Sequence, residues 1–395
     1  MSDQAERTGR GQDTSHRLQS IDIARGIVMA IMALDHVRDY FSTHRSDLMD
    51  PDKTTVGVFI TRWISHFCAP AFFLLAGVGV YLSLSRGKSR TEQAKHIFLR
   101  GLLLLILDLT VIRVAWDFNF RFSGGPWLIV LSTLGISMMI LSGLIFLPYW
   151  VVMFFSVVLI AGHNAFDYVD WLDLGPWESL WNFLHVRTTA EFAGIDCYVS
   201  YPLVPWVAVM SLGYCLGPMF LLEGPRRRRA LFGLGAVFVF AFAILRGTNS
   251  YGDPRPWTTD HEGVFNFLAI LRTKKYPPSL HYLLMCLGPL LMLLPLLEFA
   301  KGKLTDMLLK LGRAPLFFYI LHIYVAHGLA VIVARLSGYR FRDLMVPYTG
   351  LPDEYGFGLP VVYAAWFAVL VLCYPACVWF LDLKRRTKWK WLSYF

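Results

Sequence analysis

The chain has 395 residues, of which 56% are hydrophobic and only 16% are charged, and its formal net charge is +9. Because a soluble globular protein carries about 25% charged residues, this composition excludes an ordinary soluble domain and predicts an all-α, polytopic membrane protein. The six cysteines form neither a disulfide framework nor a zinc-ligand spacing, so we expect no metal site.

Ten apolar segments are candidates for membrane-spanning helices, since a span needs about 20 mostly apolar residues. The weakest candidate is 149–163, which is short. Residues 1–17 are predicted to be a disordered tail, residues 18–383 the transmembrane domain and residues 384–395 a basic tail. The ten candidates are 19–41, 58–85, 97–115, 126–146, 149–163, 200–222, 229–247, 278–299, 312–334 and 357–381.

Basic residues in the tails, in the connections and at the adjoining ends of these segments are distributed unevenly between the two sides of the predicted bundle. Twenty Lys and Arg residues lie on the side with the tails and short connections, and ten lie in the longer connections of the other side. Because cytoplasmic connections are enriched in Lys and Arg, both termini are predicted to be cytoplasmic. The longer connections, among them 164–199 and 248–277, then lie outside, where an extracytoplasmic acceptor could be held. This placement of charge favours membrane lipid, and not nucleic acid, as a partner.

The first predicted span ends in an unusual cluster, in which Asp35, His36, Arg38 and Asp39 lie within five residues. Ionisable side chains at membrane depth are costly and usually face a polar cavity or a partner, so this cluster is the first candidate for chemistry. His36 lies sixteen residues after Ser20, about 24 Å along a helix, which places it in the outer third of the membrane. Side chains three or four residues apart share a helix face, so Asp39 can approach His36. By the same spacing, Arg38 and Asp39 can approach Asp35.

Other histidines and an arginine lie in later spans. Arg62 and His66 begin the second predicted span, four residues apart and at the same outer depth as the first cluster. His44 lies in the short connection between the two spans. His322 and His327 lie five residues apart in the ninth predicted span and so do not share a face. We interpret both as packing residues, although His322 lies deep enough to line a cavity.

Two basic runs have alternative interpretations. The run from Lys274 to His281 enters the eighth predicted span with two prolines, which suit a helix start. Lys274 and Lys275 lie on the predicted outer side, whereas Lys and Arg are normally enriched in cytoplasmic connections. Ligand binding and a structural role are therefore equally favoured for them. The run 226–229 could hold the phosphates of a cytosolic nucleotide, but an anchor on anionic lipid is the favoured interpretation.

The first cluster suggests acid–base chemistry. A histidine is the natural general base near neutral pH, so His36 could deprotonate a hydroxyl or amine that attacks an activated acyl group. A carboxylate, or a residue from another helix, on its other ring nitrogen would fix its tautomer. The alternative is a buried polar network that only packs helices together. The number of ionisable residues in the cluster favours chemistry.

The motif Ser-Ile-Asp-x-x-Arg-Gly at residues 20–26, followed by apolar residues and His36, resembles the first core helix of integral-membrane acyltransferases. In those families a catalytic histidine follows the Arg-Gly pair at this spacing, and the Asp-His pair is also similar to that of the periplasmic glucan succinyltransferases. The chain as a whole resembles bacterial relatives of heparan-α-glucosaminide N-acetyltransferase, a group often left as a domain of unknown function. The supporting segments are RLQSIDIARG, DHVRDYF, HFCAPAFFLLAG, YPLVPWVAVMSLGY, KYPPSL and GRAPLFFYILHIY.

The resemblance implies a bundle of about ten spans in the bacterial inner membrane. It implies transfer of an acetyl or other short acyl group from cytosolic acyl-CoA to a hydroxyl or amine of an extracytoplasmic sugar or glycan, without a metal. In the lysosomal enzyme of the group, an asparagine aligns with His36 and an aspartate with His66. Its catalytic histidine lies in the following loop. His44 of this chain aligns with that histidine only if a gap is allowed in the alignment. Both His36 and His44 therefore stay open as the base.

The site residues that we expect follow from these observations. His36 or His44 acts as the base, with Asp35 and Asp39 beside it. A further set is expected to bind substrate or stabilise developing charge; it comprises Arg38, Arg62, His66, Lys275 and His281. The competing class is a transporter or exporter that uses the same buried charges as a solute or proton site. A homodimer is also left open.

Overall fold

The computed structural model describes residues 13–46, 48–119, 125–167, 174–387 and 389–395. Of the predicted disordered tail, residues 1–12 lie outside the described residues, and the first helix begins at Asp13. The helices are α1 Asp13–Phe41, α2 Val56–Ile64, α3 Cys68–Leu84, α4 Arg90–Leu107, α5 Arg113–Asp117, α6 Val130–Leu144, α7 Tyr149–Gly162, α8 Glu178–His185, α9 Leu203–Leu216, α10 Gly224–Thr248, α11 Val264–Leu271, α12 Leu280–Leu297, α13 Lys303–Arg313, α14 Pro315–Leu336, α15 Phe341–Leu344 and α16 Leu359–Arg386.

Short turns of other helix types join or extend several of these helices. A 3₁₀ turn, Ser65–Phe67, joins α2 to α3, so that the two continue as one segment. A π-helical turn, Asp108–Ile112, joins α4 to α5. Further 3₁₀ turns are His163–Phe166, Gly175–Trp177, Gly217–Leu221, Tyr348–Gly350 and Lys390–Tyr394.

Seven helical segments of the described chain are long and apolar enough to cross a membrane. The other three predicted spans are also helical, but α1 and α4 carry more charge and α6 has only 15 residues. The count of ten and the cytoplasmic placement of the termini therefore stay predictions. The seven segments are Val56–Leu84, Tyr149–Phe166, Leu203–Leu221, Gly224–Thr248, Leu280–Leu297, Pro315–Leu336 and Leu359–Arg386.

Close backbone contacts hold the centre of the bundle together. Helix α3 packs against α9, and α1 packs against α13 and α14. At the first contact Gly77 and Gly213 let two helix backbones meet, because a Cβ atom on either would lie within 2.0 Å of a carbonyl oxygen of the facing helix. Small residues have this role in membrane bundles, where tight packing replaces the hydrophobic effect between helices.

A small sheet accompanies the helices and departs from the all-α prediction. Its strands are β1 Trp127–Leu128, β2 Thr189–Phe192 and β3 Ile195–Val199, in the order β1-β3-β2. Strands β2 and β3 are antiparallel and joined by Ala193 and Gly194, both with positive φ, as expected for a two-residue hairpin turn. Strand β3 also pairs with β1 in parallel, so the connection after α8 is attached to the start of α6. The molecule is mainly a helical bundle.

Candidate functional site

The end of α1 brings His36 against His322 of α14. His36 Nδ1 lies 2.8 Å from His322 Nε2, and the two rings are 16° from parallel with centroids 5.0 Å apart. This is the geometry of an end-to-end hydrogen bond between two imidazoles. The two helices run in the same direction, because Arg313, just before α14, pairs with Asp22 near the start of α1 (3.4 Å).

The backbone of α14 determines which ring nitrogen carries the proton. His322 Nδ1 lies 2.9 Å from the carbonyl of Phe318, and a carbonyl only accepts, so Nδ1 is the protonated nitrogen of this ring. In a neutral His322 the Nε2 atom is therefore an acceptor, and His36 donates to it from Nδ1. The Nε2 atom of His36 then keeps its lone pair, which is what a general base needs.

Aromatic side chains enclose the histidine pair. Trp116 and Tyr319 meet the His36 ring edge to face, with centroids 5.0 and 6.1 Å away. The carbonyl of Trp116 accepts a hydrogen bond from the hydroxyl of Tyr40 (2.5 Å), which fixes this wall to α1. His322 is fully buried and His36 is partly buried, so the hydrogen bond between them is largely shielded from solvent. Electrostatic interactions are stronger there than in water.

The other ionisable residues of the first cluster pair with arginines. Asp35 lies 3.0 Å from Arg38 and 2.5 Å from Arg62, so the network joins α1 to α2. Asp39 lies 2.5 Å from the same Arg38, and the orienting partner of His36 is on another helix. The Nε and Nη1 atoms of Arg38 are buried and have no hydrogen-bond partner among the residues that the structure describes. Buried donors are normally satisfied, so these two atoms are available to a ligand.

Two more cations lie around this network. Lys275 is buried and within electrostatic range of Asp35. The guanidinium group of Arg187 lies 4.4 Å above the ring of Tyr276. Burial alone would raise the pKa of Tyr276, but the neighbouring cations lower it to about 8. With the two arginines of the network, four cations face two carboxylates, so this outer cluster has a surplus of positive charge.

Neighbouring connections hold Lys275 in position. Asp253 accepts hydrogen bonds from the backbone of Lys274 (2.8 Å) and from the hydroxyl of Ser279 (2.6 Å). Asn164 accepts one from the backbone of the first residue of α12 (2.8 Å). Hydrogen bonds to Asp253 and Asn164 thus hold the connection before α12. The backbone of this connection places Lys275 beside the network.

A cavity of about 440 Å³ opens at the end of the bundle where α1 begins. Arg25, Arg86 and Arg100 line it, and we name this the basic end of the bundle. Met29 and Tyr319 are the lining residues that come nearest, along α1 and α14, to the histidine pair. The cavity therefore leads from the basic end toward His36, while the outer cluster lies beyond it.

The structure does not bring every predicted site residue together. His44 is exposed, and its Nδ1 lies 3.2 Å from the hydroxyl of Thr43. His281 is buried, but its Nε2 bonds to the carbonyl of Tyr251 (2.7 Å), so it holds a connection and does not face the network. Seven of the nine predicted residues lie in or beside the site: Asp35, His36, Arg38, Asp39, Arg62, His66 and Lys275.

Two residues of the site were not identified from the sequence. Helical spacing favours a packing role for His322, although it lies deep enough to line a cavity, and no sequence pattern singles out Tyr319. The available signal was a histidine deep within an apolar span, where an ionisable residue indicates function by default. No group of three His, Cys, Asp or Glu side chains that could hold a metal ion is found in the described ranges.

Comparison with curated proteins finds no match to the chain. Comparison with protein families finds one, described as heparan-alpha-glucosaminide N-acetyltransferase, catalytic, which matches residues 17–250. The matched segment begins in α1 and ends after α10, so it contains His36 and Arg62 but not Lys275 or His322. The match covers more than half of the chain, and the protein therefore belongs to this family of membrane acetyltransferases.

Proposed function

We propose that the protein transfers an acetyl or other short acyl group from acyl-CoA to a hydroxyl or amine of a sugar-like acceptor, with His36 as the general base. The observation that carries the proposal is the position of His36 on α1, between the residues that line a cavity with a basic mouth and an outer cluster with surplus positive charge. We place the protein in the inner membrane of a bacterium, with the donor in the cytoplasm and the acceptor outside.

The mouth of the cavity suits the phosphates of coenzyme A. Arg25, Arg86 and Arg100 line it, and the Nε atom of Arg100 is buried without a hydrogen-bond partner in the described chain. Guanidinium groups bind phosphate oxygens through charge-assisted hydrogen bonds, often in pairs. Phe72 and Leu104 line the same cavity, and apolar walls of this kind suit a pantetheine arm.

The length of the path agrees with this donor. Arg25 and His36 are eleven residues apart on α1, which is about 16 Å along a helix. The pantetheine arm and its thioester comprise about 14 bonds from phosphorus to the acyl carbon, and an extended chain covers about 1.2 Å per bond, so their reach is about 17 Å. With its phosphates at the basic end, an acyl-CoA would therefore bring its reactive carbon to the level of His36.

The chain's own residues supply the proton transfers. The acceptor oxygen or nitrogen attacks the acyl carbon while His36 Nε2 takes its proton, and the positive charge that forms is shared through Nδ1 with His322. The carbon–sulfur bond then breaks, and the thiolate of coenzyme A leaves and takes the proton from His36. His322 does not touch the reacting atoms, so its role is positioning.

The outer cluster suits the acceptor. The free Nε and Nη1 atoms of Arg38 can donate to acceptor oxygens, and Lys275 adds a buried positive charge beside them. The two carboxylates hold the arginines in place, as shown by the ion pairs of Asp35 with Arg38 and Arg62. Hydrogen-bonding groups that are fixed before binding cost little reorganisation when the acceptor arrives.

The test is acetyl transfer by the purified protein from radiolabelled acetyl-CoA to a panel of amino sugars and glycans. We expect His36→Ala to lower the turnover rate at least 100-fold, because general-base catalysis contributes about 10²–10⁴-fold. His44→Ala, on an exposed residue, should keep most of the activity. If His44→Ala alone abolished transfer, the choice of base would be wrong. A wild-type protein that transports solutes but transfers no acyl group would establish the transporter instead.

A further inference from the structure

Tyr319 occupies the junction between the cavity and the histidine pair. It lines the cavity, and its ring meets the rings of His36 and His322 edge to face, with centroids 6.1 and 5.6 Å away. On α14 it precedes His322 by three residues, so the two side chains share a helix face. A ligand that entered from the basic end would meet this phenol just before His36.

The hydroxyl of Tyr319 differs from those of two neighbouring tyrosines. Tyr40 donates to the carbonyl of Trp116 (2.5 Å), and Tyr324, one turn and a half further along α14, donates to the carbonyl of Val111 (2.8 Å). Tyr319 is only 5% exposed, yet among the described residues its hydroxyl has no hydrogen-bond partner. The hydroxyl oxygen is not one of the buried atoms without a partner, so it is accessible from the cavity that Tyr319 lines and can donate to a ligand there.

One oxygen of the neighbouring carboxyl group is engaged elsewhere. Asp108 is the carboxyl group within electrostatic range of Tyr319. Its Oδ2 atom accepts hydrogen bonds from the backbone of Ile129 (3.2 Å) and from the backbone and hydroxyl of Ser132 (2.8 and 2.6 Å). It thereby caps the start of α6, where the positive end of the helix dipole offsets its charge. The Oδ1 atom of Asp108 is buried without a hydrogen-bond partner in the described chain, and no hydrogen bond joins it to Tyr319. The phenol therefore keeps its donor for a ligand in the cavity that it lines.

We propose that Tyr319 is a catalytic residue whose hydroxyl donates a hydrogen bond to the carbonyl oxygen of the acyl group. This role rests on the proposed acyl transfer. When the acceptor attacks the acyl carbon, the π electrons of the C=O bond move to its oxygen, and the Tyr319 hydroxyl stabilises that negative charge. When the C=O bond re-forms, the carbon–sulfur bond breaks and the sulfur receives the proton that His36 carries. Tyr319 itself stays protonated throughout.

Steady-state kinetics of Tyr319→Phe provide the first test, with Tyr324→Phe as the matched control on the same helix. Loss of one donor to a developing oxyanion typically lowers kcat about 10²–10³-fold, and we expect a loss in that range for Tyr319→Phe. The KM for acetyl-CoA should change less than about threefold if the bond strengthens mainly in the transition state. Tyr324→Phe should keep wild-type turnover, since its hydroxyl bonds to a backbone carbonyl.

Two unreactive analogues separate contact with the carbonyl oxygen from a structural role. Acetonyl-CoA retains a carbonyl oxygen, whereas S-isobutyl-CoA has a methyl group in its place. We expect the wild-type protein to bind the first about two- to tenfold more tightly, as one net hydrogen bond allows, and Tyr319→Phe to bind both equally. An unchanged preference in Tyr319→Phe, or turnover within threefold of wild type, would overturn this role and leave acyl transfer intact. If the wild-type protein neither bound acetyl-CoA nor transferred its acyl group, both proposals would fall together.

Discussion

His322 has the position of an orienting residue for His36. Its Nδ1 is committed to the carbonyl of Phe318, so its Nε2 can only accept while the ring is neutral. That forces the His36 proton onto Nδ1, facing α14, and points the basic Nε2 away from it. His322 is fully buried and His36 is partly buried, so the acceptor of the pair lies on the enclosed side and the tautomer depends on this partner side chain.

Substitution of His322 tests this positioning. His322→Leu removes the acceptor and leaves a buried N–H unsatisfied, which costs about 1–3 kcal/mol and should lower kcat about 10- to 100-fold with little change in KM. In His322→Gln the side-chain oxygen can accept in place of Nε2, so it should recover most of the lost rate. Equal losses in both variants, measured at matched folding by thermal shift, would contradict a positioning role.

Contacts within one helix were predictable from spacing, and contacts between helices were not. The three-residue step from Asp35 to Arg38 predicted their ion pair, which is confirmed at 3.0 Å. Equal depth predicted that Arg62 would join them, and it lies 2.5 Å from Asp35. The pairing of His36 with His322 joins residues 286 positions apart, and no periodicity relates two helices that far apart in the sequence. A contact of this kind depends on how the bundle folds.

Among the helices, the contact between α3 and α9 depends most directly on small residues. A Cβ atom on Gly213 would lie 2.0 Å from the carbonyl oxygen of Leu74, so one backbone would have to move. We expect Gly213→Ala to lower the melting temperature in detergent, since overpacking costs about 1–3 kcal/mol. Gly233→Ala is the control, because a Cβ there meets nothing within 4 Å, and it should leave the melting temperature unchanged or raise it. Equal melting temperatures for the two variants would contradict the close approach.

Long apolar helices were predicted well, whereas short irregular elements were not. Each of the ten predicted spans overlaps a helix, because a long apolar segment can satisfy its backbone in a membrane only by forming a helix or a closed barrel. The strands β1 to β3 are two to five residues long and lie in connections rich in aromatic residues. Strands this short carry too few alternating positions for a period-two pattern to be recognised.

In the whole molecule, the histidine pair lies between two regions of different chemistry. The cavity from the basic end is lined by arginines at its mouth and by apolar side chains further in, whereas the outer cluster combines four cations with two carboxylates. The uneven distribution of Lys and Arg in the sequence predicted a basic side but not a cavity, because a cavity arises from helices that fail to fill the space between them. A two-sided arrangement of this kind suits a reaction whose substrates come from opposite sides of a membrane.

The two-sided arrangement predicts that the donor is recognised by its phosphates at the basic end. Arg100→Gln should raise the KM for acetyl-CoA about tenfold, because a hydrogen bond between charged groups contributes about 1.5–3 kcal/mol. The same variant should use S-acetyl-pantetheine, which lacks the phosphates, as well as the wild-type protein does. Arg229→Gln is the matched control, since Arg229 is an exposed residue of the basic run that does not line this cavity. A rise in KM of the same size for both donors, or for both variants with acetyl-CoA, would mean that the phosphates do not bind at the mouth of the cavity. The donor would then have to reach His36 by another path.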